Sequence, residues 1–239
     1  MNIRRDAKTQ AALEPIKRLY MLGVKGDADA VQEAGRRLEA LRSADPDLPL
    51  AKAYHGGVKI LTARDRKKPM EKLRLSREGL KLLDEAVAAA PNDTDVRIIR
   101  GRCAYQLPEK YFARAATAIE DYNFILKEYR RGALQIKREE IETMQFELGD
   151  AYRRIGKFSE AAAVWKKLLE STADPVLRER IAGQLPDVQG KPNLAEPPQN
   201  TSAALLLVSA AVRKSESLVA EWMRRSMKEQ QKKRRKKKK

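Results

Sequence analysis

The 29 residues from Glu142 to Glu170, "ETMQFELGDAYRRIGKFSEAAAVWKKLLE", read as two amphipathic helices that meet at Gly156. Apolar residues recur at i, i+3 and i+4 on either side of that glycine. Gly149 and Ala161 are small enough to let the two helices cross closely, and Tyr152, Phe158 and Trp165 fill the space beside the crossing. A hairpin of this kind cannot bury its apolar face alone, so the same pattern should recur along the chain.

It does. Helical periodicity runs from about Pro15 to Leu185 and is broken by "ADPD" (Ala44–Asp47), "APND" (Ala90–Asp93) and "ADP" (Ala173–Pro175). Each break joins a helix-stopping proline to an Asx residue able to cap the next helix. Paired helices are therefore expected throughout.

The 142–170 hairpin resembles a tetratricopeptide repeat (TPR). Leu148-Gly149 falls on the family's Leu-Gly pair, Ala151-Tyr152 on its Ala-Tyr and Gly156 on its turn glycine, while Phe158, Ala161 and Trp165 take the second-helix positions. It departs from the family at Gln145 (usually Trp), Leu168 (usually Ala) and Ala173, where the expected proline arrives two residues late as Pro175. A weaker copy spans Thr94–Leu126, with Gly101 in its first helix and Ala118, Tyr122, Ile125 and Leu126 in its second; "LPEK" widens its turn. A wider copy, Leu50–Asp93, places Gly57 in the first helix and Gly79, Leu83, Ala86 and Pro91 in the second. The glycine spacings are 44 and 48 residues, against about 34 in the family, so lengthened helices or turns are expected. A further pair is expected over Pro15–Lys25 and Asp27–Arg42. The segments "GLKLLDEAV…P" and "LP…AIEDY" also resemble uncharacterised bacterial TPR-containing proteins. The resemblance implies a right-handed superhelix of antiparallel helix pairs with a concave, protein-binding groove.

Composition agrees with an all-α fold: 42% of residues are hydrophobic but only 5% aromatic, and Ala, Leu, Lys, Arg and Glu dominate. Cys103 is the only cysteine, so no intrachain disulfide can form. Charges interrupt the first 23 residues too often for a secretory h-region. The most apolar run, Ala203–Val212, has ten residues, where a membrane span needs about 20. A cytoplasmic protein without a transmembrane span is expected.

Four segments follow: a repeat domain over 1–185, a Pro-rich linker over 186–201, an amphipathic helix over 202–227 and a polybasic tail over 228–239. Leu205, Val208, Val212, Val219 and Trp222 make the helix's apolar stripe, which would fold back on the last repeat, pair with a second copy as a homodimer, or lie on a membrane surface. Of the net +17, the segment from Arg224 carries +10, since eleven basic residues there oppose the single Glu229. Arg224, Arg225, Lys228, Lys232, Lys233, Arg234, Arg235, Lys236, Lys237, Lys238 and Lys239 are its polyanion-binding candidates. With no aromatic after Trp222 to stack on bases, such contacts would be electrostatic, to RNA or the ribosome or to an anionic membrane.

Catalytic chemistry is not expected. His55 is the only histidine and Cys103 the only cysteine, too few for a metal cluster or a nucleophile–imidazole pair. Both read as structural residues, and no phosphate or dinucleotide fingerprint, cofactor or metal site is evident. What remains is binding to a protein partner whose identity the residues do not specify. The TPR resemblance places groove-lining positions at Ile98, Arg102, Tyr105 and Gln106 in one repeat and at Phe146, Asp150, Arg153 and Arg154 in the next. The Asn/Lys set by which some TPR proteins hold a chaperone's terminal carboxylate is missing from these positions. The arginines would instead attract an acidic segment.

Overall fold

The computed structural model describes residues 7–195; the expected helix over 202–227, the basic tail and the end of the linker lie outside it. Ten helices occupy the described chain: α1 (Ala7–Val24), α2 (Ala28–Ala44), α3 (Pro49–Asp65), α4 (Pro69–Ala89), α5 (Thr94–Gln106), α6 (Glu109–Phe112), α7 (Ala115–Arg130), α8 (Arg138–Arg154), α9 (Phe158–Ser171) and α10 (Pro175–Gln184). No strand occurs among the described residues. The all-α class expected from periodicity is the fold observed.

The helix ends follow local chemistry, except that after "ADPD" Leu48, not an Asx residue, stands before α3 and no side chain caps it. Asp27 accepts from the Ala30 N–H at 2.9 Å, Asp93 from those of Asp95 and Val96 at 3.0 and 3.3 Å, and Asp174 from that of Val176 at 2.9 Å. Pro49, Pro69 and Pro175 sit in first turns, where a missing N–H costs nothing. α1 and α8 end at Gly26 (φ 108°) and Gly156 (φ 77°), left-handed positions that a side chain would strain. In both, the next N–H reaches back across the turn, Asp27 to Leu22 O at 3.2 Å and Lys157 to Tyr152 O at 2.9 Å.

The helices pack as α1/α2, α3/α4, α5/α7 and α8/α9, followed by α10. In α3/α4, Lys52 meets Glu85 and Lys59 meets Glu78, so one helix ascends as its partner descends. The first members of the four pairs, α1, α3, α5 and α8, are the A helices, and α10, which follows the fourth pair, is counted with them. Successive pairs meet through α2 with α3, α4 with α5 and α7 with α8. The buried core runs along the stack in three stretches, centred on Leu38 and Leu83, on Tyr122 and Ile125, and on Trp165 and Ile181.

The close crossings are where the sequence places them, with one exception. A Cβ at Gly149 would run into the Trp165 indole, and one at Gly101 would press on Asp121 and Tyr122. In α3/α4, however, Gly56 is the residue that meets Gly79: its Cβ would lie 2.6 Å from the Gly79 carbonyl oxygen. Gly57, expected in that role, abuts Tyr20 of α1 instead. Adjacent helix positions differ by about 100° in direction, so this glycine pair serves two interfaces at once.

Three further expectations change. α1 begins at Ala7 and continues through Pro15, because Leu13, Ile16 and Tyr20 form one buried stripe across it. The widened turn after α5 contains the short α6, which closes with Ala113 at φ 52°. The Pro-rich segment does not start as a free spacer: Val188 is 1% exposed, the Leu194 N–H donates to Gly156 O at 3.0 Å, and Asn193 accepts from the Ser159 N–H at 2.9 Å. The buried valine, the Leu194–Gly156 bond and the Asn193 cap on α9 hold this stretch against the last hairpin.

Candidate binding face on the A helices

On α5, Ile98, Arg102 and Tyr105 follow helical spacing down one side; on α8, Phe146, Asp150, Arg153 and Arg154 do the same. The two rows meet at Asp150. Its carboxylate accepts the Tyr105 hydroxyl at 3.1 Å, Arg153 Nε at 2.9 Å, and pairs with Arg154 at 2.7 Å. Arg154 also donates to the Tyr105 carbonyl at 2.7 Å, and its guanidinium lies 4.3 Å above the Tyr105 ring. At the other end Arg102 pairs with Glu140 at 3.0 Å. Burial, then the neighbouring Asp150 carboxylate, push the Tyr105 phenol well above its ordinary pKa, so it remains a donor at any physiological pH.

The remaining expected residues take different places. Ile98 is half-buried against the middle core and Gln106 is exposed. Phe146 is only 5% exposed: it stacks on Trp165 at 5.8 Å, and its carbonyl accepts the indole N–H at 3.0 Å. It forms the floor of this face, and Arg180 of α10 covers it with a guanidinium 4.1 Å from the ring.

Two residues of the face escape sequence reading. Arg180 lies beyond the resembling repeat, on an A helix too short to show periodicity, and it has no ion pair among the described residues. Glu147 accepts the Tyr122 hydroxyl at 2.5 Å. Burial raises its carboxyl above the usual range, against the opposing pull of Tyr122, Arg102, Arg154 and Arg180. Nothing in its helical position distinguishes it from the exposed carboxylates nearby.

Arg102, Arg153, Arg154 and Arg180 thus line neighbouring A helices against Glu140, Glu147 and Asp150. Asp150 satisfies two guanidiniums at once, and Arg180 uses only its flat face. Several N–H donors remain free to meet an anion.

The two residues with intrinsic reactivity are held otherwise. Cys103 lies in the core 3.7 Å from the Tyr20 hydroxyl, and burial pushes its thiol up to about 11. Arg42 of α2 donates to His55 Nδ1 of α3 at 2.7 Å, which requires a neutral imidazole.

A crystal structure of a thermophilic TPR protein from Thermus thermophilus is similar, with a TM-score of 0.50 and 19% sequence identity over 71% of this chain and 81% of that one. The likeness concerns the fold, which is a TPR-like stack of helical repeats. No protein-family model and no curated protein match the sequence. Among the described residues, no helix is long and apolar enough to cross a membrane.

Proposed function

We propose that this protein is a cytoplasmic interaction scaffold, not an enzyme, whose A-helix face over α5, α8 and α10 takes an acidic segment of a protein partner. The observation that carries this reading is the convergence of Arg102, Arg153, Arg154 and Arg180 on one face with fewer carboxylates to neutralise them. Guanidinium forks recognise carboxylates in pairs, and arginines held by packing lose little freedom on binding. The structural roles of His55 and Cys103 support a scaffold reading. In this account the polybasic tail over 228–239 adds a second, unselective attraction to a polyanion such as RNA, the ribosome or an anionic membrane, while the groove residues choose the partner.

A peptide array of graded acidity, followed by fluorescence anisotropy at moderate salt, tests this reading. Arg102→Glu with Arg153→Glu should weaken the best acidic peptide at least tenfold, the expected effect of reversing desolvated charges at an interface. Deleting Lys228–Lys239 should leave that affinity nearly unchanged while abolishing salt-sensitive binding to single-stranded RNA and to phosphatidylserine vesicles. If the deletion removed peptide selectivity and the charge reversals changed nothing, the helices would be only a holder for the tail.

A further inference from the structure

Four A helices in this stack lead into a packed partner, whereas α10 has no second helix after it among the described residues. One side of α10 is occupied: Leu177 and Ile181 are buried together with Val188. The other side is open. Val176 is 62% exposed, Glu179 and Ala182 are exposed, a Cβ added at Gly183 would meet nothing within 4 Å, and Arg180 turns from its edge onto Phe146 of α8.

The path of the chain after α10 points to what covers that side. Residues 185–195 bend round to the α8–α9 turn, where Leu194 is tied to Gly156 and Asn193 to Ser159 and Glu160. That turn marks the edge of the stack from which α9 sets out, so the described chain stops where a further second helix would begin. The sequence that follows supplies one, with Leu205, Val208 and Val212 on a helical stripe. Ten residue steps separate Ala195 from Leu205 and span up to about 34 Å when extended; α10, at ten residues, is only about 15 Å long. The reach is ample.

We infer that residues 202–223 of the same molecule form the fifth hairpin's second helix, docked antiparallel on the outer side of α10 through Leu205, Val208 and Val212. The basic tail then leaves the stack at the opposite edge, near the α9–α10 connection.

Hydrogen exchange of the full-length chain, read by mass spectrometry over 203–217, tests the docking. A lone helix of this length is marginal in water, so strong protection there reports tertiary packing. The expected protection is about 100-fold or more over an unstructured segment, and independent of protein concentration. Val176→Asp and Gly183→Gln should each reduce it at least tenfold, as should Val208→Asp, while α1 to α9 keep their exchange rates. Both α10 substitutions fall on open surface of the described repeats, so the repeats themselves accommodate them. Exchange at the unstructured rate in the unmodified protein would overturn the proposal, and so would protection indifferent to both α10 substitutions. Protection lost on dilution, together with a dimer in light scattering, would assign the segment to a second copy instead.

Discussion

Single side chains decide how closely these helices approach. Gly149 faces the Trp165 indole with no room for a Cβ, so Gly149→Leu should destabilise the chain by about 2–3 kcal/mol through overpacking, read as a lower urea midpoint. An unchanged midpoint would mean that the crossing lies elsewhere. His55 supplies a second test. Burial first, and then Arg42, hold its imidazole below the ordinary 6.5. The unfolded chain therefore takes up the proton at a higher pH than the folded one. Stability should be complete above about pH 6.5 and fall as the pH drops through that value toward the lower folded pKa. His55→Gln should flatten the dependence of the melting temperature between pH 7 and 5; an equal slope in the variant would place the titration in other groups. Gly149, Trp165 and Gly156 could be assigned from sequence because each type has one use at its position. Phe146 could not: an aromatic on the groove row serves equally as a contact or as a floor, and its stacking on Trp165 beneath the Arg180 guanidinium decides between them.

Elements bring together what no local pattern predicts. Asp121 on α7 is fully buried and holds Arg97 at 2.7 Å and Arg100 at 2.7 Å from α5, while Arg114 at the start of α7 pairs with Asp84 of α4 at 2.7 Å. These ion pairs fasten α5 to α7 and one hairpin to the next. Removing one partner from a buried pair leaves an uncompensated charge, so Asp121→Ala should cost about 3–5 kcal/mol. Replacing Asp121 by Leu with Arg100 by Met should recover much of the loss, since one orphaned charge goes with its partner and Arg97 keeps Glu120 at 2.8 Å; equal loss in the double variant would show that the carboxylate acts through packing alone. The hairpins themselves were legible, because apolar spacing, Asx caps and prolines are local signals that all agree. α6, the choice of Gly56 over Gly57, and the docking of residues 186–195 were not. The two packing features depend on contacts distant in sequence, Tyr20 with Gly57 and Leu194 with Gly156, whereas α6 is a single turn, too short to leave a periodic pattern.

At the scale of the whole molecule, charge is divided between a shaped surface and a run without shape. The segment from Arg224 carries +10 of the net +17 within sixteen residues, so its binding to RNA should weaken with a log–log salt slope of roughly −0.7 per phosphate neutralised. Removing 228–239 should bring that slope close to zero; an undiminished slope would locate the polyanion site on the repeats. The candidate face was only partly legible in sequence. Family-like positions located Arg102, Tyr105, Asp150 and Arg153, whereas Arg180 and Glu147 enter it through packing. Whether a partner sits on this face is tested most directly by amide exchange footprinting with the tightest acidic peptide from the array. Protection confined to α5, α8 and α10 around Arg102, Tyr105, Arg153 and Arg180, and lost in the Arg102→Glu/Arg153→Glu protein, is the predicted result; a footprint on α7 and α9, or on residues 228–239 alone, would contradict it.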